Sequence, residues 1–237
     1  AANHGVFLAM VKGAVVPAVA ELERALALDP GRQDILLSLA HVWELAGKDD
    51  ARAEEAFARA LAADKGPSHA RLLGSYAAFR ARTRGEDVDA NLVLHEAAVE
   101  ADPADGVNLA ALALYLSAVM ERHTEADALF RKAVVAAPHN GDVLGRYASF
   151  VGDQMHDSDA AEVYYKRAIE ADARARVESA ENLGKYAYFM HTVRGDLQTA
   201  DELYRRAVAC GAGPDTCANY ATFLEMERDN QEQAEVA

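Results

Sequence analysis

The chain has 237 residues, of which 51% are hydrophobic and 26% charged, and its formal net charge is −14. Nucleic-acid binding rests on neutralising phosphates, so an acidic balance of this size disfavours it, and no run of eighteen apolar residues offers a membrane span. Two cysteines suit a cytoplasmic or other reducing intracellular compartment better than a disulfide-stapled domain, and leave a targeting peptide unassessed.

Abundant alanine, with only six prolines and fifteen glycines, predicts helix throughout. Residues 1–11 have the pattern of the second half of a helix, because His4-Gly5-Val6-Phe7-Leu8 matches Tyr220-Ala221-Thr222-Phe223-Leu224. A partial repeat over residues 1–30 closes at Asp29-Pro30. Whole repeats are then predicted over 31–64, 65–102, 103–138, 139–172 and 173–212, and a partial one over 213–237. In each, a large residue of the first helix (Leu39, Tyr76, Leu112, Tyr147, Tyr186, Tyr220) stands fourteen positions before an alanine (Ala53, Ala90, Ala126, Ala161, Ala200, Ala234). Seven positions later comes a second alanine: Ala60, Ala97, Ala133, Ala168 or Ala207. A recurrence near 36 residues is the period of a solenoid of helix pairs.

Within a repeat, Leu144, Tyr147, Ala148 and Val151 fall on one helical face, and Ala161, Tyr164, Tyr165 and Ala168 on another. The turns Gly47-Lys48-Asp49-Asp50, Arg84-Gly85-Glu86-Asp87, Asp157-Ser158-Asp159 and Arg194-Gly195-Asp196 supply breakers and helix caps. Proline closes repeats at Pro30, Pro103 and Pro138. Gln231 to Ala237 aligns with Ser158 to Tyr164 and predicts the opening of another helix, so both ends read as cut within helices of a longer array.

The connection between Ala168 and Tyr186 is longer than its counterparts. Its ADARARVESAEN predicts a lengthened first helix in the repeat at 173–212. That repeat has net charge +1 between neighbours at −4 and −5. Its basic residues, Arg176 and Lys185 among them, either attract an acidic peptide or pair with neighbouring acids.

Ala161…Tyr165…Ala168 resembles the small–aromatic–small signature of the tetratricopeptide repeat, and Pro30 and Pro138 match that family's closing proline. Leu144…Tyr147-Ala148…Val151 resembles its first-helix signature, with leucine for tryptophan and alanine for glycine. The YAxF wording and the segments ALFRKA and VYYKRA also resemble half-a-TPR repeats. The resemblance covers nearly the whole chain and implies an all-α, right-handed superhelical solenoid of antiparallel helix-turn-helix repeats, forming a single array over 1–237.

The chemistry-bearing residues do not gather. Eight histidines are scattered about one per repeat without ligand spacing, and no GxGxxG, P-loop or GxSxG occurs. The sequence therefore predicts no catalytic residue, no metal and no cofactor. The aromatic stripe of Tyr76, Phe79, Tyr147, Phe150, Tyr186, Phe189, Tyr220 and Phe223 sits in the repeat frame and reads as core, and Trp43 is predicted to pack between repeats.

In solenoids of this kind the first helices line the concave side. The positions expected there include Leu37, His41, Leu114, Ser149, Tyr188, His191 and Thr222, joined by Arg176 and Lys185 from the basic repeat. The family's carboxylate clamp implies Lys, Arg and Asn at fixed inner positions. The nearest residues are Asp142 with Arg146, Glu181 with Lys185 and Asp215 with Asn219, where an acid stands first each time. The expected partner is another protein, a peptide or a helix seated in the groove, within a larger complex. Two other functions fit the same sequence: a regulatory or sensing segment of a larger enzyme, and an RNA-processing scaffold, against which acidity and small inner positions argue.

Overall fold

A computed structural model describes residues 15–45, 49–63 and 68–236. The helix expected over residues 1–11 and the turn residues Gly47 and Lys48 lie outside the described residues. The chain divides into two compact units, Ala1–Glu121 and Arg122–Ala237.

The N-terminal unit contains α1 (Val15–Leu28), α2 (Gln33–Leu45), α3 (Asp50–Ala62), α4 (His69–Thr83), α5 (Val88–Ala101) and α6 (Gly106–Ala118). The C-terminal unit contains α7 (His123–Ala136), α8 (Gly141–Asp153), α9 (Ser158–Arg174), α10 (Ala180–Phe189), α11 (Leu197–Ala209) and α12 (Pro214–Val236). Consecutive helices pair as α2 with α3, α4 with α5, α8 with α9 and α10 with α11. The first helices also touch each other directly, α2 with α4 and α4 with α6 in one unit, α8 with α10 and α10 with α12 in the other.

Local chemistry sets the boundaries. Asp49, Asp105, Asn140, Asp157, Ser179 and Asp196 each accept a backbone N–H from the first turn of α3, α6, α8, α9, α10 and α11 respectively. These caps satisfy donors that the helix itself leaves unpaired.

Packing follows the small–aromatic–small frame. Ala53, Ala60, Ala126, Ala133, Ala161, Ala168, Ala200 and Ala207 are wholly buried, which lets the paired helices close on one another. The ring between each alanine pair reaches the next first helix. Phe57 meets Tyr76 and Phe79, Phe130 meets Tyr147 and Phe150, Tyr165 meets Tyr186 and Phe189, and Tyr204 meets Tyr220 and Phe223. Centroids 5.0–5.7 Å apart are in the range where aromatic pairs add about 0.5–1.5 kcal/mol beyond their burial. Trp43 is half-buried against the core of its unit and stacks under the Arg52 guanidinium of α3, 4.7 Å from the ring centroid.

Three expectations are corrected. In α5 the buried frame is Asn91, His95 and Ala98, one residue later than Ala90, Leu94 and Ala97. The cause is one additional residue at the end of α4, and Asn91 Nδ2 ties it down by donating to the Arg84 carbonyl at 2.9 Å. The long connection after Ala168 extends α9 to seventeen residues and leaves the start of α10 where Ser179 caps it. Finally, α12 runs unbroken to Val236, with no new helix opening at Gln231, because MERDNQEQAEV carries no glycine or proline to interrupt it.

α10 lengthens at its other end instead. It continues into a single π-helical turn, Met190–Arg194, that stops at Gly195 with φ +66°. Such turns insert a residue into a helix and concentrate at functional sites.

Candidate partner-binding face

The face made by the first helices can be built up position by position. Two residues before the large residue, in every repeat but the last, the position is taken up by helix–helix contact. A methyl on Gly74 would overlap Asn108, one on Gly145 would overlap Asn182, and one on Gly184 would overlap Thr216. Those polar partners are themselves secured: Asn108 Nδ2 donates to the Ala70 carbonyl at 3.1 Å, and Asn182 Nδ2 to Asp172 at 2.8 Å. Leu37 occupies the same place in α2 and is only 5% exposed, within the core of the N-terminal unit. It is closed to a partner, because the neighbouring helix covers it.

Two residues after the large residue, side chains reach the surface. Leu114 is 41% and Tyr188 is 48% exposed. Ala78 and Thr222 are exposed, and the Thr222 hydroxyl donates to the Ala218 carbonyl of its own helix. His41 is half-buried, edge-on to Phe57 at 6.2 Å; desolvation lowers its pKa, Glu44 opposing the shift and Arg71 adding to it. Ser149 is satisfied twice, donating to the Gly145 carbonyl and sharing a 3.0 Å hydrogen bond with the Tyr165 hydroxyl. His191 lies on the π-helical turn, edge-on to Phe223 at 5.0 Å.

The basic residues of 173–212 are largely occupied. Lys185 holds Glu181 at 2.6 Å, Arg194 holds Asp159 and Glu162, Arg205 holds Asp201, and Arg206 holds Glu178. Arg174 meets Glu170 at 3.6 Å. Among the described residues no carboxylate lies within ion-pair distance of Arg176, which sits beyond α9 at φ +57°. Tyr188, His191 and Thr222 share the α10–α12 face.

Tyr204 is the functional candidate that the sequence pattern hides. It is wholly buried, and its hydroxyl has no hydrogen-bond partner. Burial, with the Tyr188 phenol as a smaller contributor, pushes its pKa up to about 12. The signal available was a tyrosine at a frame position filled by phenylalanine in Phe57 and Phe130.

Among the described residues, no three His, Cys, Asp or Glu side chains are placed to hold a metal, and no helix is long and apolar enough to cross a membrane. Cys210 and Cys217 are free and exposed, the first directed at Glu178 and the second at the Ala212 carbonyl.

No protein-family model matches the chain, and no curated protein does. Solved structures do. PilW, a widely conserved type IV pilus biogenesis factor, aligns with TM-score 0.61 at 20% identity over 88% of this chain and 92% of its own. PilF of Pseudomonas aeruginosa aligns with TM-score 0.58 at 21% identity over 93% and 96%. The fold is that of the tetratricopeptide repeat. A human IFIT1 dimer with PPP-AAAA shares the tetratricopeptide fold at TM-score 0.70 and 18% identity, over 92% of this chain and 51% of that one. In each unit the helices pair in tetratricopeptide-like hairpins, and among the described residues the chain is all-α.

Proposed function

We propose that this chain is a non-catalytic protein-interaction scaffold that takes a segment of a partner protein on the face of its first helices. One observation carries the reading. Small residues of these helices are spent on close helix contact, and the next position outward presents exposed Leu114 with small Ala78 in the N-terminal unit and exposed Tyr188 with Thr222 in the C-terminal unit. An apolar anchor point flanked by low relief suits a docked helix or extended strand. The neighbours named above share the architecture on which such faces are built, and the fold itself serves many partners.

Charge supports a protein partner over nucleic acid. Phosphate contacts need free cations, whereas here the net charge is −14 and most basic side chains of 173–212 already hold carboxylates.

The test compares variants of the full chain as bait in lysate of the source organism. Leu114→Asp with Tyr188→Asp should lose a protein that wild type retains, while Val93→Asp with Val163→Asp, on exposed second-helix positions, should keep it. Retention by the first pair and loss by the second would place the binding surface on the second helices and refute the reading.

A further inference from the structure

Among the described residues of the C-terminal unit, two buried side-chain polar atoms have no hydrogen-bond partner. Ser149, Thr192 and Thr222 all donate to carbonyls of their own helices, and Tyr165 pairs with Ser149. Tyr204 is the repeat counterpart of Tyr165, and the residue in the place of Ser149 is Tyr188. The Tyr188 side chain leaves the Tyr204 hydroxyl buried with no partner. His191 Nδ1 is also buried without a partner. Both residues lean on the same ring: Phe223 is 5.7 Å from Tyr204 and 5.0 Å from His191, centroid to centroid. His191 lies on the π-helical turn Met190–Arg194. A buried polar group left unmade is costly, and two beside one ring are rarer still.

We propose that Tyr204 and His191 form a main-chain recognition point, where the tyrosine hydroxyl donates to a carbonyl of an extended partner segment and His191 Nδ1 accepts a neighbouring N–H. Half-exposed Tyr188 covers the point and opens it by changing rotamer. A neutral donor beside a neutral acceptor matches a peptide backbone, whatever side chains the segment bears. A carboxylate or phosphate fits less well, since Lys185 and Arg194 on the same helix and its turn are held by Glu181, Asp159 and Glu162. The inference rests on the first-helix face being the docking face, and deepens it by naming an extended segment over a helix, whose backbone groups are already bonded internally.

Tyr204→Phe keeps every ring contact and deletes only the hydroxyl; His191→Phe keeps the contact with Phe223. The probe is a dodecapeptide selected from a random display library against the full chain, followed by fluorescence anisotropy. Tyr204→Phe should melt at or above the wild-type temperature yet bind the peptide roughly 3- to 30-fold more weakly, the loss expected for one buried hydrogen bond. Ester replacement of one peptide N–H should weaken wild type to a similar degree and leave His191→Phe unaffected. A purely structural hydroxyl would instead lower the melting temperature without touching affinity. If both variants bind normally while Tyr188→Asp or Leu114→Asp abolishes binding, the docking face stands and the main-chain point is refuted. If no selected peptide responds to Tyr188→Asp or Leu114→Asp, the docking face falls and this inference with it.

Discussion

The buried alanine frame makes a quantitative demand at Ala161. Its side chain is wholly buried, and a methyl on Gly152 of the facing helix α8 would come within 3.3 Å of the Ala161 Cβ. Leucine at 161 adds three heavy atoms where the opposing surface is a bare glycine backbone. The site has no direction in which to relax except by parting α8 from α9, so the cost is overpacking, about 1–3 kcal/mol. For a chain of this size that corresponds to a fall of roughly 2–12 °C in melting temperature. Ala90 provides the internal comparison. It stands at the same sequence spacing but is half-exposed, so leucine there should change stability by no more than about 0.5 kcal/mol. Circular-dichroism melts and urea titrations of the two variants read both numbers. Equal destabilisation by Ala90→Leu, or a wild-type melt for Ala161→Leu, would show that the assigned packing register is wrong.

Three further outcomes follow from single residues. His95 is buried against Tyr115 at 4.8 Å, and burial lowers its pKa to about 4 from an ordinary 6.5. The unfolded chain therefore takes up this proton between pH 6.5 and 4 while the folded chain resists it. Stability should fall across that window by up to about 3 kcal/mol more in wild type than in His95→Phe, as measured by urea midpoints at pH 7.0, 5.5 and 4.5. Arg176 occupies a helix-ending position at φ +57°, where Arg176 N bonds the Ala173 carbonyl and Val177 N bonds Asp172, the pattern glycine favours. Arg176→Gly should raise unfolding free energy by about 0.5–1 kcal/mol, and a lower melting temperature would count against the strain. Gly145→Ala should destabilise by about 1–3 kcal/mol, since the new methyl meets Asn182, which is held by Asp172; a neutral thermal melt would show that α8 and α10 are less closely apposed.

The repeat was legible because its most constrained contacts use the least ambiguous residues. Alanine pairs around an aromatic, followed by the next YAxF, report a packing geometry directly. The same signal misled at Ala90. In an alanine-rich chain a matching spacing arises by chance, and the buried residues are Asn91 and His95, whose polarity argues against core until the Arg84 carbonyl is seen to need a donor. Helix propensity assigns ADARARVESAEN to α10 because it does not say which helix owns a segment; Ser179, a capping residue with Asn182 three positions on, carries the missing boundary. On the candidate face, periodicity located Leu114, Tyr188 and Thr222 at the surface. It placed Leu37 there wrongly, because the width of an exposed stripe depends on how closely neighbouring helices approach. The π-helical turn and the unpaired Tyr204 hydroxyl depend on three-dimensional contacts between α10, α11 and α12 and leave no periodic trace.

The scaffold reading is tested most directly by site-specific photo-crosslinking of the full chain in the source organism. A benzophenone amino acid is placed at Leu114 or Tyr188 on first helices, and at Val93 or Val163 on second helices, all exposed. Leu114 and Tyr188 should each join the chain to the same discrete protein, identified by mass spectrometry of the adduct, and the two valine positions should not. Adducts confined to Val93 and Val163, or nucleic acid in place of protein at Tyr188, would contradict the scaffold reading.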